Sequence, residues 1–271
     1  MDVIVNADDI GISGVVNTAT FDFIRKGRVT SATLLANGPS IEEACAQLSD
    51  YPACSFGVHL NVTEFRPLSG PDKLWQILND EGEFKEFLVR QAPIGRDLSY
   101  GIFEEFCAQI DKLQSLGVQI SHIDSHNYVL SIPRMLPILK RVQRRYGIRK
   151  ARISRNIYAR NLLKDQSVTP QTLGMDPETG DPGQLSLRVK KWAYNWALRN
   201  YYRTKTTDGF SGFRLFYEYA RNLPMKHRSF EVNVHPANPY YDAAGEEQIL
   251  ASAWEDQLDF PVRLISYDQL G

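Results

Sequence analysis

Apolar and polar positions along the 271 residues alternate between a short strand-like rhythm and a helical one. Residues 2–6 form a short, continuous, β-branched run, the pattern of a buried strand. Gly11, Ser13 and Gly14 then turn the chain into a helix over about 15–26, with Val16, Ala19, Thr20 and Phe23 on its inner face and Gly27 at its close. A second strand over 29–36 leads to Ser40, which with Glu43 has the spacing of a capping box for a helix over about 41–49. Residues 55–62 read as a third strand, with Gly57, His59 and Asn61 on one face and Val58, Leu60 and Val62 on the other.

Prolines and glycines break the pattern over about 64–98, predicting a long loop with a short helix near 74–78. Phe103, Phe106, Ile110 and Leu113 give a helix over 100–116, ended by Gly117. A strand over 118–125 follows, then a helix opened by Pro133 and ended near Gly147. A short strand over 151–154 carries Arg152. Residues 164–184 are rich in turn formers and read as a flexible excursion. The remaining expected elements are a helix over 185–202, a short strand end near 206–212, strands over 230–234 and 262–267, and a helix over about 245–257. Seven strands mostly separated by helices predict a parallel α/β architecture. That count favours a barrel of seven or eight strands in one domain over an open sheet.

Composition narrows the function classes. The chain is 43% apolar and 23% charged, with a formal net charge of −1, so nothing in the overall balance calls for nucleic acid or an anionic membrane. The basic residues of the 185–202 helix read as a solvated face, and its aromatics suit either a core or a homodimer interface. Cys45, Cys54 and Cys107 are odd in number and form no C-x-x-C pair. Free thiols in a reducing compartment are expected. No secretory signal and no apolar run long enough for a membrane span is visible, so the expected location is cytoplasmic.

The chemistry gathers at strand ends. Asp8 and Asp9 end the first strand, His59 sits near the end of the third, His122, Asp124 and His126 alternate along a fourth, and His235 follows the 230–234 strand. In a parallel barrel these ends converge on one face. Adjacent carboxylates repel unless a cation or a proton separates their roles. One Asp with two His suits Zn²⁺ or another first-row divalent ion and leaves a coordination position for water. Strand alternation alone does not choose between His122 and His126, which face the same way.

Asn6-Ala-Asp8-Asp9-Ile-Gly11, Gly57-Val-His59-Leu-Asn-Val-Thr63, His122-Ile-Asp124-Ser-His126 and Glu231-Val-Asn-Val-His235-Pro-Ala237 resemble, in order, the motifs of the YdjC-like carbohydrate deacetylases. The resemblance implies a distorted (β/α) barrel of the TIM type and metal-dependent removal of N-acetyl groups from an amino sugar. The substrate implied is an oligosaccharide, such as a chitooligosaccharide, or a glycolipid headgroup. It also implies one divalent ion, zinc or magnesium, held by Asp9, His59 and His126, with Asp8 as general base and His235 as general acid. His122 and Asp124 belong beside the site, either orienting ligands or replacing one; His126 is preferred as ligand because it lies nearer the strand's carboxyl end. Arg152 matches a basic position of the family, suited to orienting Asp8 or touching substrate. The family's motif carries further histidines two and four residues beyond the ligand, where this chain has Tyr128 and Leu130, and that alters the expected shape and polarity of the sugar pocket. Two other readings compete: a metal-dependent phosphoesterase on a similar barrel, which needs a basic phosphate clamp, and a non-catalytic sugar-binding relative.

Overall fold

The computed structural model describes residues 1–158, 185–238 and 243–271. Among the described residues seven strands make up the sheet: β1 (Asp2–Ile10), β2 (Ser31–Leu34), β3 (Ser55–Leu60), β4 (Ile123–Ser125), β5 (Gly209–Gly212), β6 (Ser229–Val234) and β7 (Arg263–Leu264). Every pairing is parallel, in the order β4-β3-β2-β1-β6-β5, with β7 on the first two residues of β1. The helices are α1 (Gly14–Arg25), α2 (Ile41–Cys45), α3 (Glu86–Gln91), α4 (Arg96–Ser115), α5 (Leu136–Tyr146), α6 (Leu185–Trp196), α7 (Phe213–Asn222) and α8 (Ala243–Ala251). The sheet curls into an incomplete barrel, and the gap between β4 and β5 is spanned by single bridges, Ile123 to Ala151 and Lys150 to Lys205.

Alternation along the strands separates two environments. Val3, Val5 and Ala7 of β1 join the large apolar core under the helices, whereas Ile4 packs with Ile265, Tyr267 and Leu270. Asn6 and Asp8 continue the Ile4 face inward and are fully or almost fully buried. Beyond β7, Tyr267 donates its backbone N–H to the hydroxyls of Ser31 and Ser55, so the last residues close the barrel end where β1, β2 and β3 begin. α4 packs Leu98, Ile102, Phe106, Ile110 and Leu113 inward at helical spacing, and α5 ends on Gly147 at φ 70°.

β1 and α4 run longer than expected, and several other elements are shorter. The 118–125 strand is regular only over Ile123–Ser125, where β3 offers its backbone, and 151–154 contributes one bridge at Ala151. The capping box expected at Ser40 does not form; its side chain makes no cap bond, and Asn17 Nδ2 instead donates to its carbonyl at 3.0 Å. The helix expected over 185–202 becomes π-helical over Ala197–Tyr201, and the one expected over 245–257 ends at Ala251. The excursion expected over 164–184 lies outside the described residues. Among the described residues no helix is long and apolar enough to cross a membrane.

Candidate metal centre

Two neighbouring residues of a regular strand point to opposite faces, yet Asp8 and Asp9 both reach the same site. The β1–β2 register shifts between Ala7 and Ile10, and Asp9 adopts φ 67°, a left-handed conformation that Asp tolerates better than most residues. The irregularity turns Asp9 inward beside Asp8.

Asp9 Oδ1 then lies 3.2 Å from His59 Nε2 and 2.9 Å from His126 Nδ1, and the two ring nitrogens are 3.3 Å apart. Ligand atoms held about 2.0–2.1 Å from a tetrahedral ion stand roughly 3.3 Å from one another, close to this triangle. All three residues are buried. Asn238 Nδ2 donates to the other Asp9 oxygen at 2.8 Å, and His59 Nδ1 donates to Asp124 Oδ1 at 2.7 Å. That second bond leaves His59 Nε2 as a bare lone pair facing a carboxylate, an arrangement that requires a proton or a cation between them. His126 Nε2 is buried without a hydrogen bond, 3.4 Å from Glu64 Oε2.

The electrostatics agree. In the metal-free protein, burial works against every charge here, but it is outweighed. His126 and His59 hold Asp9 well below the usual carboxylate range. Asp124 and Asp9 hold His59 well above its ordinary value, and Asp9 raises His126 to about 9. The pocket therefore attracts positive charge, whether as protons or as an ion.

Asp8 sits in a different environment. Arg152 donates Nη1 to Asp8 Oδ2 at 2.7 Å and Nη2 to Oδ1 at 2.6 Å. Asn6 and Asn233 add bonds of 2.9 and 3.0 Å. Arg152 also meets Asp124 Oδ2 at 2.9 Å and Glu231 Oε1 at 2.7 Å. Asp8, His59 and Asp124 also converge, but Arg152 already pairs with both of those carboxylates, whereas the Asp9 triangle has no guanidinium against it among the described residues. His235 Nε2 lies 3.7 Å from Asp8 Oδ2, and burial lowers its pKa below the ordinary 6.5.

His122 does not join the triangle. Its ring stacks on Tyr267 at 3.6 Å, its Nε2 donates to Asn6 Oδ1 at 3.1 Å, and its Nδ1 lies 2.7 Å from the Ser121 hydroxyl. Burial, with Arg152 nearby, keeps it neutral. Gly57 makes room for that ring, since a Cβ there would stand 2.5 Å from His122 Cε1. Tyr128, at φ 54°, accepts from Asn233 Nδ2 at 3.3 Å, while Leu130 is buried in the apolar core. Of the two departures from the histidine motif, Tyr128 alone is seen to bond into the site.

Several further side chains build the site. Glu231 and Asn233 share one face of β6 with His235, and Asn6 shares a face of β1 with Asp8, so period-two alternation could have marked them. Thr33, which donates to Asp124 Oδ2 at 3.0 Å, sits in the strand between. Glu64 and Asn238 lie in loops and carry no such periodic signal.

An incomplete parallel barrel with a carboxylate–imidazole triangle at the carboxyl ends of its strands defines a class: α/β-barrel proteins with residues that could hold a metal ion. Within that class the chain belongs to the YdjC-like protein family, whose profile matches residues 2–261. It is 38% identical to a carbohydrate deacetylase from Geobacillus stearothermophilus over 150 residues, 54% of this chain and 57% of that relative. It is 33% identical to a chitooligosaccharide deacetylase from Klebsiella pneumoniae (strain 342) over 177 residues, 65% of this chain and 68% of that relative. The match thus spans little more than half the length of the first of these relatives. A crystal structure from Enterococcus faecalis V583, provisionally described as a cellobiose-phosphate cleavage protein, shares the fold at a TM-score of 0.73. It covers 100% of this chain and 98% of its own at 20% identity.

Proposed function

We propose that this protein is a metal-dependent hydrolase that removes N-acetyl groups from an amino sugar carried on an oligosaccharide or a glycolipid headgroup. The observation that carries the reading is the buried Asp9–His59–His126 triangle with Asp8, a second carboxylate with its own counter-charge, beside it. Two imidazoles and one carboxylate suit zinc better than magnesium, which prefers oxygen ligands. The names of the curated relatives support the acetylated-sugar substrate.

A divalent ion held by Asp9, His59 and His126 supplies Lewis acidity toward the acetamide carbonyl and toward water. Asp124 fixes the His59 tautomer through its bond to Nδ1. Asp8, with four donors on its carboxylate, is ionised and rigidly oriented. Its low proton affinity makes it a base only toward an acidified water. His235, neutral near pH 7, receives that proton at Nε2 and delivers it to the amine nitrogen as the C–N bond breaks, leaving acetate and a free amine.

A phosphoesterase would need a cationic clamp at the strand ends, but Arg152 already faces three carboxylates. The three cysteines are free and buried, and burial raises each thiol, which suits a reducing cytoplasm and removes them from nucleophilic chemistry. The test is acetate release from N-acetylglucosamine oligomers by zinc-loaded protein, compared with chelator-stripped protein. Release that depends on the ion supports the reading; the absence of release from any acetylated amino sugar at saturating metal would overturn it.

A further inference from the structure

The formal net charge of −1 hides a lopsided distribution. Residues 131–158 and 185–205 together carry fifteen of the chain's 31 lysines and arginines and no aspartate or glutamate. These stretches hold α5 and α6, and they meet in the fold. Lys140 Nζ donates to the Tyr202 carbonyl at 2.7 Å, the Thr204 hydroxyl to Gln143 Oε1 at 3.1 Å, and the Lys205 N–H to the Arg149 carbonyl at 2.9 Å. Arg141, Arg144, Arg149, Lys190, Arg203 and Lys205 are all exposed. Among the described residues no ion pair takes up any of the six. Burial, with Arg144 and Arg149 adding to it, pulls the Lys140 ammonium below its ordinary value. A solvated helix surface ordinarily mixes charges of both signs; this one does not.

The same region exposes large apolar groups. Val189, Trp192 and Trp196 follow one another along α6 at spacings of three and four and are 54%, 67% and 52% exposed. Tyr201, in the π-helical turn that continues α6, is 74% exposed. The other side of the helix is already used. Tyr194 and Leu198 are buried in the core, and Asn195 bonds both the N–H and the carbonyl of Ser154. α6 is therefore fixed to the barrel by one face and leaves an apolar stripe unpartnered on the other. Cations flank that stripe at both ends, Arg188 and Lys190 before Trp192, Arg203 and Lys205 beyond Tyr201.

We infer that the α5–α6 face docks this protein on the surface of an anionic lipid bilayer, with Trp192 and Trp196 entering the headgroup region and the surrounding lysines and arginines meeting lipid phosphates. Indoles settle at the depth of the headgroups, where an apolar ring and a polar N–H are both accommodated. Long basic side chains lie along apolar surface and keep their charge at the phosphates. Val189 adds an aliphatic group, which favours a bilayer over the stacked bases of a nucleic acid. The inference needs nothing from the deacetylase reading and stands or falls apart from it.

The experiment uses the full chain with two kinds of vesicle, phosphatidylcholine alone and an equal mixture of phosphatidylcholine and phosphatidylglycerol, followed by co-sedimentation and tryptophan emission. Binding should be about tenfold tighter or more on the mixed vesicles and should weaken as salt rises from about 0.1 M to about 0.5 M. Arg144→Gln combined with Arg203→Gln should weaken it about tenfold. Trp192→Ser combined with Trp196→Ser should remove the blue shift of emission on binding, and the shift should survive Trp75→Phe, an exposed indole outside α6. Thermal unfolding checks the fold of each variant, and the wild-type comparison of the two vesicles stands even where a variant does not fold. The absence of a preference for the anionic vesicles overturns the inference, as does unchanged binding in double variants that keep the wild-type Tm. Binding to a single-stranded oligonucleotide with none to either vesicle overturns it in favour of nucleic acid. A solution dimer that buries Trp192 and Trp196 and leaves no vesicle binding overturns it in favour of a second copy of the chain.

Discussion

Arg152 grips Asp8 through both terminal nitrogens, at 2.6 and 2.7 Å, and does so inside the barrel, where both side chains are almost completely buried. The same guanidinium also pairs with Asp124 and Glu231. Removing it strands Asp8 and Asp124 away from water and leaves Glu231 without its ion-pair partner. Arg152→Met is therefore expected to cost about 3–5 kcal/mol of stability at neutral pH, measured by denaturant unfolding of the metal-free protein. The acid limb should also change. Arg152 outweighs burial to hold Asp8 below its ordinary 3.8, so that contribution is present above this value and lost as pH falls toward the folded value. In the variant the acid-induced loss should be shallower.

The triangle predicts which substitutions separate metal binding from turnover. His59→Ala, His126→Ala and Asp9→Asn should each lose zinc on dialysis, read by metal analysis. Asp8→Asn should keep zinc and lose about 10²–10⁴-fold in acetate release. Asp124→Asn, which touches no ion but orients His59, should weaken zinc binding about 10–100-fold. Zinc retained at wild-type stoichiometry in both imidazole variants would remove the triangle as the site.

Gly57 is constrained by His122 rather than by its own backbone. A methyl at position 57 would stand 2.5 Å from the imidazole, which is held between Tyr267, Ser121 and Asn6. Gly57→Ala should destabilise the protein by about 1–3 kcal/mol, visible as a Tm lower by several degrees. An unchanged Tm would show that the stack yields freely.

Burial raises Glu231 from 4.5 to about 7 despite Arg152 and the Tyr267 hydroxyl beside it. Its folded form holds a proton more tightly than the unfolded chain. Stability attached to this group therefore falls as pH rises from about 4.5 to about 7, with a slope of at most ~1.4 kcal/mol per pH unit. Glu231→Gln should remove that downward slope from a stability–pH series on the metal-free protein, whatever it does to the absolute level. An unaltered slope would assign the titration elsewhere.

Much of the site was legible because strands impose a period of two and parallel strands share a direction. His59, Asp124, His126 and His235 could be placed on inward faces and at carboxyl ends from spacing alone, and the motif order pointed to the family. Alternation did not distinguish His122 from His126, since that depends on depth in the barrel: one ring meets Tyr267, the other Asp9. The 118–125 strand looked longer than it is: regular pairing covers only Ile123–Ser125, although Ser121 and His122 still share backbone bonds with Phe56 and Val58.

The amino-acid sequence by itself determined the parallel α/β architecture, the clustering of carboxylates and imidazoles at one end, and the YdjC-like membership, all of which rest on local periodicity and short motifs. Tertiary structure alone decided that Asp8 and Asp9 face the same pocket, because a register shift and a positive φ override strand alternation. It also gave the two carboxylates different surroundings. Arg152 arrives from 144 residues away to hold Asp8, while Asp9 is left facing two imidazoles. Charge pairing across the barrel is set by which strands become neighbours, and no spacing along the chain encodes that.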